Sequence, residues 1–182
     1  KKRQKLADRK PRSLSGGQCQ RVGIARALAI EPRLIVADEC VAALDVSIQG
    51  QIINLLLELR ERMDLALLFI THDLTVVRRL CDRVAVMYLG RIVEQGPVRD
   101  VFEAPRHPYT AALIQSVADI DPARRLPEQP LPGEPPSPLN LPSGCTFHPR
   151  CQYAVPACRE ATPPTHSLGA RYYTCVHPEP LF

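Results

Sequence analysis

An α/β fold follows from three observations over residues 1 to 96: two short apolar runs, Leu34-Ile35-Val36-Ala37 and Leu65 to Ile70, a helical pattern ahead of each, and polar residues at the carboxyl end of each. From Gln18 to Ala29, the positions Val22, Ala25, Leu28 and Ala29 recur at helical spacing. Ser15-Gly16-Gly17 stands at the N-terminal edge of this helix and Glu31-Pro32 closes it. Leu34 to Ala37 suits a buried parallel strand that delivers Asp38-Glu39 at its carboxyl end, where ligands of open α/β sheets gather. Ile48, Ile52, Leu55, Leu56, Leu59 and Met63 mark an amphipathic helix capped by Asp45 or Ser47. Gly50 inside it costs about 1 kcal/mol against alanine. Leu65 to Ile70 is the second buried strand and ends in Thr71-His72-Asp73. A short helix, Leu74 to Leu80, follows, then a hairpin at the sheet edge from Arg83 to Tyr88 and Arg91 to Gln95, joined through Leu89-Gly90.

Beyond residue 96 the pattern changes. Sixteen of the nineteen prolines lie from Pro105 onward. Residues 97–117 read as short accessory helices, the last from Tyr109 to Val117. Residues 118–143 hold eight prolines and few large apolar groups, so they read as an extended linker without a core of their own. Residues 144–182 form a small cysteine-rich tail, too short for a hydrophobic core alone and expected to need a staple.

Composition removes several function classes. All four lysines fall in the first ten residues and no Gly-Lys pair occurs, so the 182 residues contain no G-x-x-x-x-G-K-[ST] phosphate loop. Nineteen arginines among nineteen acidic residues, with a net charge of +4, suit a mixed solvated surface, and nucleic acid is not an expected partner. The longest uninterrupted apolar run is Leu65 to Ile70, far short of a bilayer span. The basic start leads into Asp8-Arg9-Lys10-Pro11 with no apolar stretch, unlike a secretory signal. The absent initiator methionine suggests a fragment.

Three constellations carry chemistry. Leu14-Ser15-Gly16-Gly17-Gln18 opens a helix: glycines admit close backbone approach, Ser15 offers a hydroxyl, and the helix N-terminus favours an anion such as phosphate. Taken alone it also reads as an ordinary serine cap. Asp38-Glu39 can orient magnesium through one carboxylate and polarise an attacking water through the other, or can be a solvated acidic loop. His72 is placed to contact a terminal phosphate, although a lone histidine is more often a satisfied loop residue.

In this order and spacing, with Ala43-Leu44-Asp45 between the second and third, the run resembles the C-terminal part of an ATP-binding cassette (ABC) transporter ATPase, a P-loop NTPase core. It is most similar to the subunits that drive oligopeptide and dipeptide importers. The resemblance extends through Arg106-His107-Pro108-Tyr109-Thr110 and Gly144-Cys145-x-Phe147-His148-Pro149-Arg150-Cys151. It implies that Leu14, Ser15, Gly16, Gly17 and Gln18 form the signature that binds nucleotide across a subunit interface, with Asp45 in the D-loop, Ala42 to Asp45. It implies Asp38 on magnesium, Glu39 as catalytic base and His72 as the switch histidine. It further implies ATP and Mg, a second cassette subunit in a homo- or heterodimer, transmembrane permease subunits, a solute-binding protein acting indirectly, and a peripheral position on the cytoplasmic membrane face.

The sequence departs from the family where Cys40 replaces the usual proline and Cys19 the usual arginine. The P-loop, the adenine-stacking aromatic residue and the glutamine loop are expected ahead of Lys1. The 182 residues alone are therefore expected not to hydrolyse ATP. Two other readings stay open: a non-hydrolysing module lending its signature half-site to a partner cassette, and a DNA-repair type ATPase head, which lacks here its expected coiled coils and basic surface.

Cys145-x5-Cys151-x6-Cys158-x16-Cys175 offers four thiolates for zinc or an iron-sulfur cluster, with two disulfides as the competing use. The lack of a tight C-x-x-C pair weakens zinc. The family resemblance implies a 4Fe-4S cluster ahead of zinc or free thiols, with His148, His166 and His177 structural. Cys19, Cys40 and Cys81 read as small core or loop residues. Dipeptides, longer oligopeptides and nickel-type cargo are all compatible with the resemblance.

Overall fold

The computed structural model describes residues 9–42, 44–116 and 131–177, which divide into two units, Lys1–His72 and Asp73–Phe182. In the first unit a 3-10 turn, Pro11–Ser13, leads into α1 (Gly16–Leu28), β1 (Leu34–Asp38), α2 (Val46–Met63) and β2 (Ala66–Ile70). The helix-spaced residues form its core: Ile24 of α1, Ile52 and Leu56 of α2 and Val41 of the intervening loop are buried together, with Leu67 and Phe69 of β2 packed on them. Gly17 lies at a close approach of the two helices, where an added Cβ would sit 2.6 Å from Ile48 Cγ2. Arg21 Nη2 donates to Gln51 Oε1 at 2.7 Å and ties the same helices by polar contact.

Because α2 carries the chain back over the sheet, β1 and β2 pair in parallel, from Leu34 opposite Ala66 to Asp38 opposite Ile70. Both strands therefore finish at one edge, and the Glu39 N–H donates to the Ile70 carbonyl at 2.9 Å just beyond it. The α/β expectation for this region holds, with α2 capped at Asp45 and not at Ser47, which lies inside the helix.

The second unit contains α3 (Leu74–Leu80), the hairpin β3 (Arg83–Tyr88) and β4 (Arg91–Pro97), α4 (Val98–Glu103), α5 (Pro108–Gln115), α6 (Ala157–Glu160), and the hairpin β5 (Thr165–Leu168) and β6 (Arg171–Thr174). Asp73 caps α3 by accepting from the Thr75 and Val76 N–H groups. The strands form one sheet in the order β3-β4-β6-β5. This differs from the expected hairpin at the edge of the 1–96 core, because Glu94 and Gln95 pair with Tyr173 and Tyr172 of the tail.

The tail is also not a separate body. Phe147, only 1% exposed, is buried with Val86, Tyr88 and Val93, and its ring lies 5.3 Å from Tyr88 and 5.4 Å from Tyr109. Residues 131–143 contain no helix or strand, as expected of the linker, yet Leu131 packs against this core and the Pro132 carbonyl accepts from Arg150 Nε at 3.1 Å. Residues 118–130 of the expected linker, Val117 of the expected helix and Ala43 of the expected D-loop lie outside the described residues.

Candidate functional site

Ser15 is the N-cap of α1 in a reciprocal capping box. Its Oγ accepts from the Gln18 N–H at 3.3 Å, while Gln18 Oε1 accepts from the Ser15 N–H at 3.0 Å. Gln18 therefore secures the cap, and the hydroxyl hydrogen of Ser15 is not consumed by it. Ser15 and Gly16 are exposed, whereas Leu14, Gly17 and Gln18 are half-buried. The two glycines thus differ: Gly16 presents backbone at the surface, and Gly17 is required by packing against Ile48.

Asp38 is the last residue of β1 and is exposed. Glu39 follows with φ +43°, a left-handed conformation that costs a non-glycine residue about 1–3 kcal/mol. This turn leads the chain off the strand, with the Ala42 N–H donating to the Glu39 carbonyl at 3.1 Å. His72, two residues beyond β2, places Nδ1 3.3 Å from Glu39 Oε1. An ionised carboxylate only accepts, so the contact requires the imidazole proton on Nδ1. Both side chains remain more than half exposed. Asp45 is exposed and makes no side-chain cap bond at α2.

The structure therefore pairs Glu39 with His72 and puts Asp38 at the adjoining strand end. Magnesium bound beside phosphate takes only one or two protein carboxylates, and the exposed Asp38 carboxylate suits that demand.

The four tail cysteines stand differently. Burial raises the thiols of Cys145 and Cys175 and pushes Cys151 up to about 11, and repulsion from neighbouring cysteine thiolates adds to all three. The Cys145 N–H donates to the Cys158 carbonyl at 2.8 Å. Yet among the described residues no three His, Cys, Asp or Glu side chains converge to hold a metal ion. The expected 4Fe-4S cluster or zinc thus finds no support among the described residues. The physical reason for expecting a staple also falls away, because the β4–β6 pairing and the Phe147 core hold the tail.

The tail histidines contact carbonyl oxygens: His148 at Cys145, His166 at Cys175 and His177 at Tyr153, each at 2.9 Å. Cys19 is exposed, and Cys40 and Cys81 are half-buried.

Sequence reasoning passed over the most enclosed charge of the second unit. Glu94, 1% exposed, accepts from the Arg106 and His107 N–H groups at 2.9 Å and from Arg171 Nη2 at 2.7 Å. A glutamate within the apolar stretch Ile92-Val93-Glu94 was the available signal. His107 is itself buried, accepts from the Tyr109 N–H at 3.1 Å, and has its pKa lowered to about 4 by desolvation.

Residues 1–42 match the profile described as ABC transporter, and residues 93–158 match the one described as Oligopeptide/dipeptide transporter, C-terminal region. The chain belongs to the ABC transporter ATP-binding proteins of oligopeptide/dipeptide type. Among relatives in that family, the "Oligopeptide transport ATP-binding protein OppF" of Salmonella typhimurium is 51% identical over 97% of this chain and 53% of its own length. The "Probable peptide ABC transporter ATP-binding protein y4tS" of Sinorhizobium fredii is 59% identical over 87% of this chain and 45% of its own length. The chain thus spans about half the length of the curated relatives it matches.

Solved cassettes share the fold. The ADP conformation of MJ1267, an ATP-binding cassette of an ABC transporter, aligns with TM-score 0.51 at 33% identity over 60% of this chain and 43% of that one. A metal-chelate type ABC transporter in an inward-facing conformation gives 0.53 at 30% identity over 60% of this chain and 41% of that one.

Proposed function

We propose that this chain supplies the signature and hydrolytic residues of the ATP-binding subunit of a peptide-importing ABC transporter. The observation that carries the reading is the Glu39–His72 contact beside Asp38 at the common end of two parallel strands. Glu39 is the general base. With Oε1 held by His72, its carboxylate is oriented to accept a proton from a water attacking the terminal phosphate of ATP. His72, whose Nδ1–H donates to Glu39, stands beside that phosphate as the switch histidine. Asp38 is the residue that would hold magnesium, which supplies charge neutralisation to the phosphates when bound.

Ser15 to Gln18 serve a nucleotide held by a second cassette, through the free hydroxyl hydrogen of Ser15, the exposed Gly16 backbone and the helix N-terminus. Asp45 lies on that same reach across the dimer. Permease subunits convert the resulting closure and opening into movement of dipeptides, oligopeptides or nickel-type cargo. The subunit works peripherally at the cytoplasmic membrane face; among the described residues no helix is long and apolar enough to cross a membrane. The functional division of the chain is a cassette portion at 1–96, accessory helices at 97–117, a linker at 118–143 and the peptide-transporter tail at 144–182.

The 182 residues lack a phosphate-loop lysine, so by themselves they do not hydrolyse ATP. Phosphate release from the purified chain at millimolar Mg-ATP should equal the no-protein blank. Magnesium-dependent turnover abolished by Glu39→Gln would overturn this.

A further inference from the structure

Helix α1 opens with two adjacent glycines, Gly16 and Gly17, of the residue type that is the poorest helix former apart from proline. The capping box of Ser15 and Gln18 supports this turn from within, but both of its members belong to the turn itself. A first turn built on two glycines keeps much of its backbone freedom unless something outside it holds the chain.

The outside support is the segment that leaves β1 and enters α2. A Cβ added at Gly16 would stand 3.1 Å from Leu44 Cδ2, and one added at Gly17 would stand 2.6 Å from Ile48 Cγ2. The two bare Cα positions therefore rest on these side chains. Leu44 and Ile48 are half-buried and pack against the core of Ile24, Val41, Ile52 and Leu56. Leu44 is anchored on both sides. Its N–H donates to the carbonyl of Val41, itself 2% exposed, at 3.2 Å. Just beyond it, the Asp45 carbonyl accepts from the Ile48 and Gln49 N–H groups at 2.9 and 2.8 Å. Ser15 and Gly16 remain exposed, so Gly16 is supported by Leu44 on one side and open on the other. Leu44 has no polar group with which to touch a nucleotide or a metal, and any effect it has on the signature passes through the Gly16 backbone.

We propose that Leu44 is a positioning residue for the signature: its side chain is the shelf under the Gly16 backbone, and it holds the Ser15 hydroxyl and the Gly16 N–H in the orientation they offer to a partner cassette's nucleotide. Glycine is needed at position 16 because the shelf crowds the place a Cβ would take. Truncating the leucine leaves a space that its surroundings fill only in part, and the first turn of α1 loosens while the far end, anchored by Ile24, stays in place. Methionine has the volume and flexibility to fill that space again. The proposal deepens the function given above and rests on it. Its first measurement contains no nucleotide, so loss of the shelf and failure of that function are separate results.

The first measurement is the heteronuclear NOE of the 15N-labelled 182-residue chain, read at Ser15, Gly16 and Gly17 and, as internal standards, at Ile24 and Ile52. Leu44→Ala should lower the values at the three signature amides to about half of the parent's or less, with Ile24 and Ile52 unchanged, and Leu44→Met should restore them. The second joins each variant to the part of Salmonella OppF outside the match and follows hydrolysis of Mg-ATP. Leu44→Ala should raise KM by about tenfold with kcat within about threefold, and Leu44→Met should return KM to the parent value. Unchanged order at residues 15–17 in Leu44→Ala, an equal loss at Ile24 and Ile52, no recovery with methionine, or an unchanged KM would each overturn the proposal. A joined parent without turnover would count against the proposed function, and the order measurement then decides the shelf alone.

Discussion

The Arg171 guanidinium lies 2.7 Å from the Glu94 carboxylate, with the two side chains 6% and 0% exposed, and joins the tail strand β6 to β4. Arg171 Nη2 also donates to the Ala104 carbonyl, while Arg171 Nε has no partner. The pair is thus strongly committed but incompletely satisfied. Removing one member leaves the other buried and uncompensated, at about 3–5 kcal/mol. Arg171→Met should lower the urea midpoint of the chain accordingly. Glu94→Gln/Arg171→Met should recover most of that loss, because the glutamine carbonyl still accepts from the backbone N–H groups. Gly96 passes beneath the same arginine, and an added Cβ would sit 2.6 Å from Arg171 Cγ, so Gly96→Ala should destabilise by the same route.

Gly17 should be limited by packing as well as by any ligand. Gly17→Ala places a methyl group 2.6 Å from Ile48 Cγ2, which should cost about 1–3 kcal/mol in the absence of nucleotide. Gly17→Ala/Ile48→Ala should regain part of this in thermal unfolding. A Gly17→Ala chain as stable as the parent would show that the helix crossing is looser than described.

Acid stability should depend on His107. Its pKa is depressed from 6.5 to about 4 by burial, so the neutral ring contributes stability that is complete above about pH 6.5 and is lost as pH falls through 4. The full difference is about 3 kcal/mol. His107→Asn retains an acceptor for the Tyr109 N–H but cannot titrate. Its denaturation midpoint should fall less steeply than the parent's between pH 6.5 and 4.

Metal removal should leave the tail folded. Chelation under reducing conditions is expected to shift the thermal midpoint by less than about 2 °C, because a single lost kcal/mol would shift a domain of this size by several degrees. Loss of the tail's amide protection on chelation, with stoichiometric zinc or iron and sulfide released, would instead establish a metal centre at Cys145, Cys151, Cys158 and Cys175. Thiol ionisation gives a second readout. Raised pKa values stabilise the fold below the ordinary thiol pKa of 9, and this is lost as pH rises toward about 11 for Cys151.

Much of the first unit was legible because its signals are local. Apolar periodicity located α1 and α2, and the two apolar runs located β1 and β2 to within a residue. The Glu39–His72 contact was legible only in part: strand ends predicted the shared edge, but the meeting of the two side chains depends on the parallel register and on the positive φ of Glu39. The second unit hid more. Pairing of Glu94 with Tyr173 joins residues seventy-nine apart in sequence, and no local pattern encodes such a partner. The low apolar content of the tail points to a staple, whereas Phe147 borrows the core of β3, β4 and α5 through Val86, Val93 and Tyr109.

The proposed role of Glu39, proton transfer in ATP hydrolysis with the carboxylate held by His72, is open to direct measurement. The most direct measurement joins the unmatched segment of OppF to this chain and compares single-turnover hydrolysis in the parent, Glu39→Gln and His72→Ala. Both variants should lose at least 100-fold in rate with ATP binding retained. Hydrolysis at the parent rate in Glu39→Gln would contradict it.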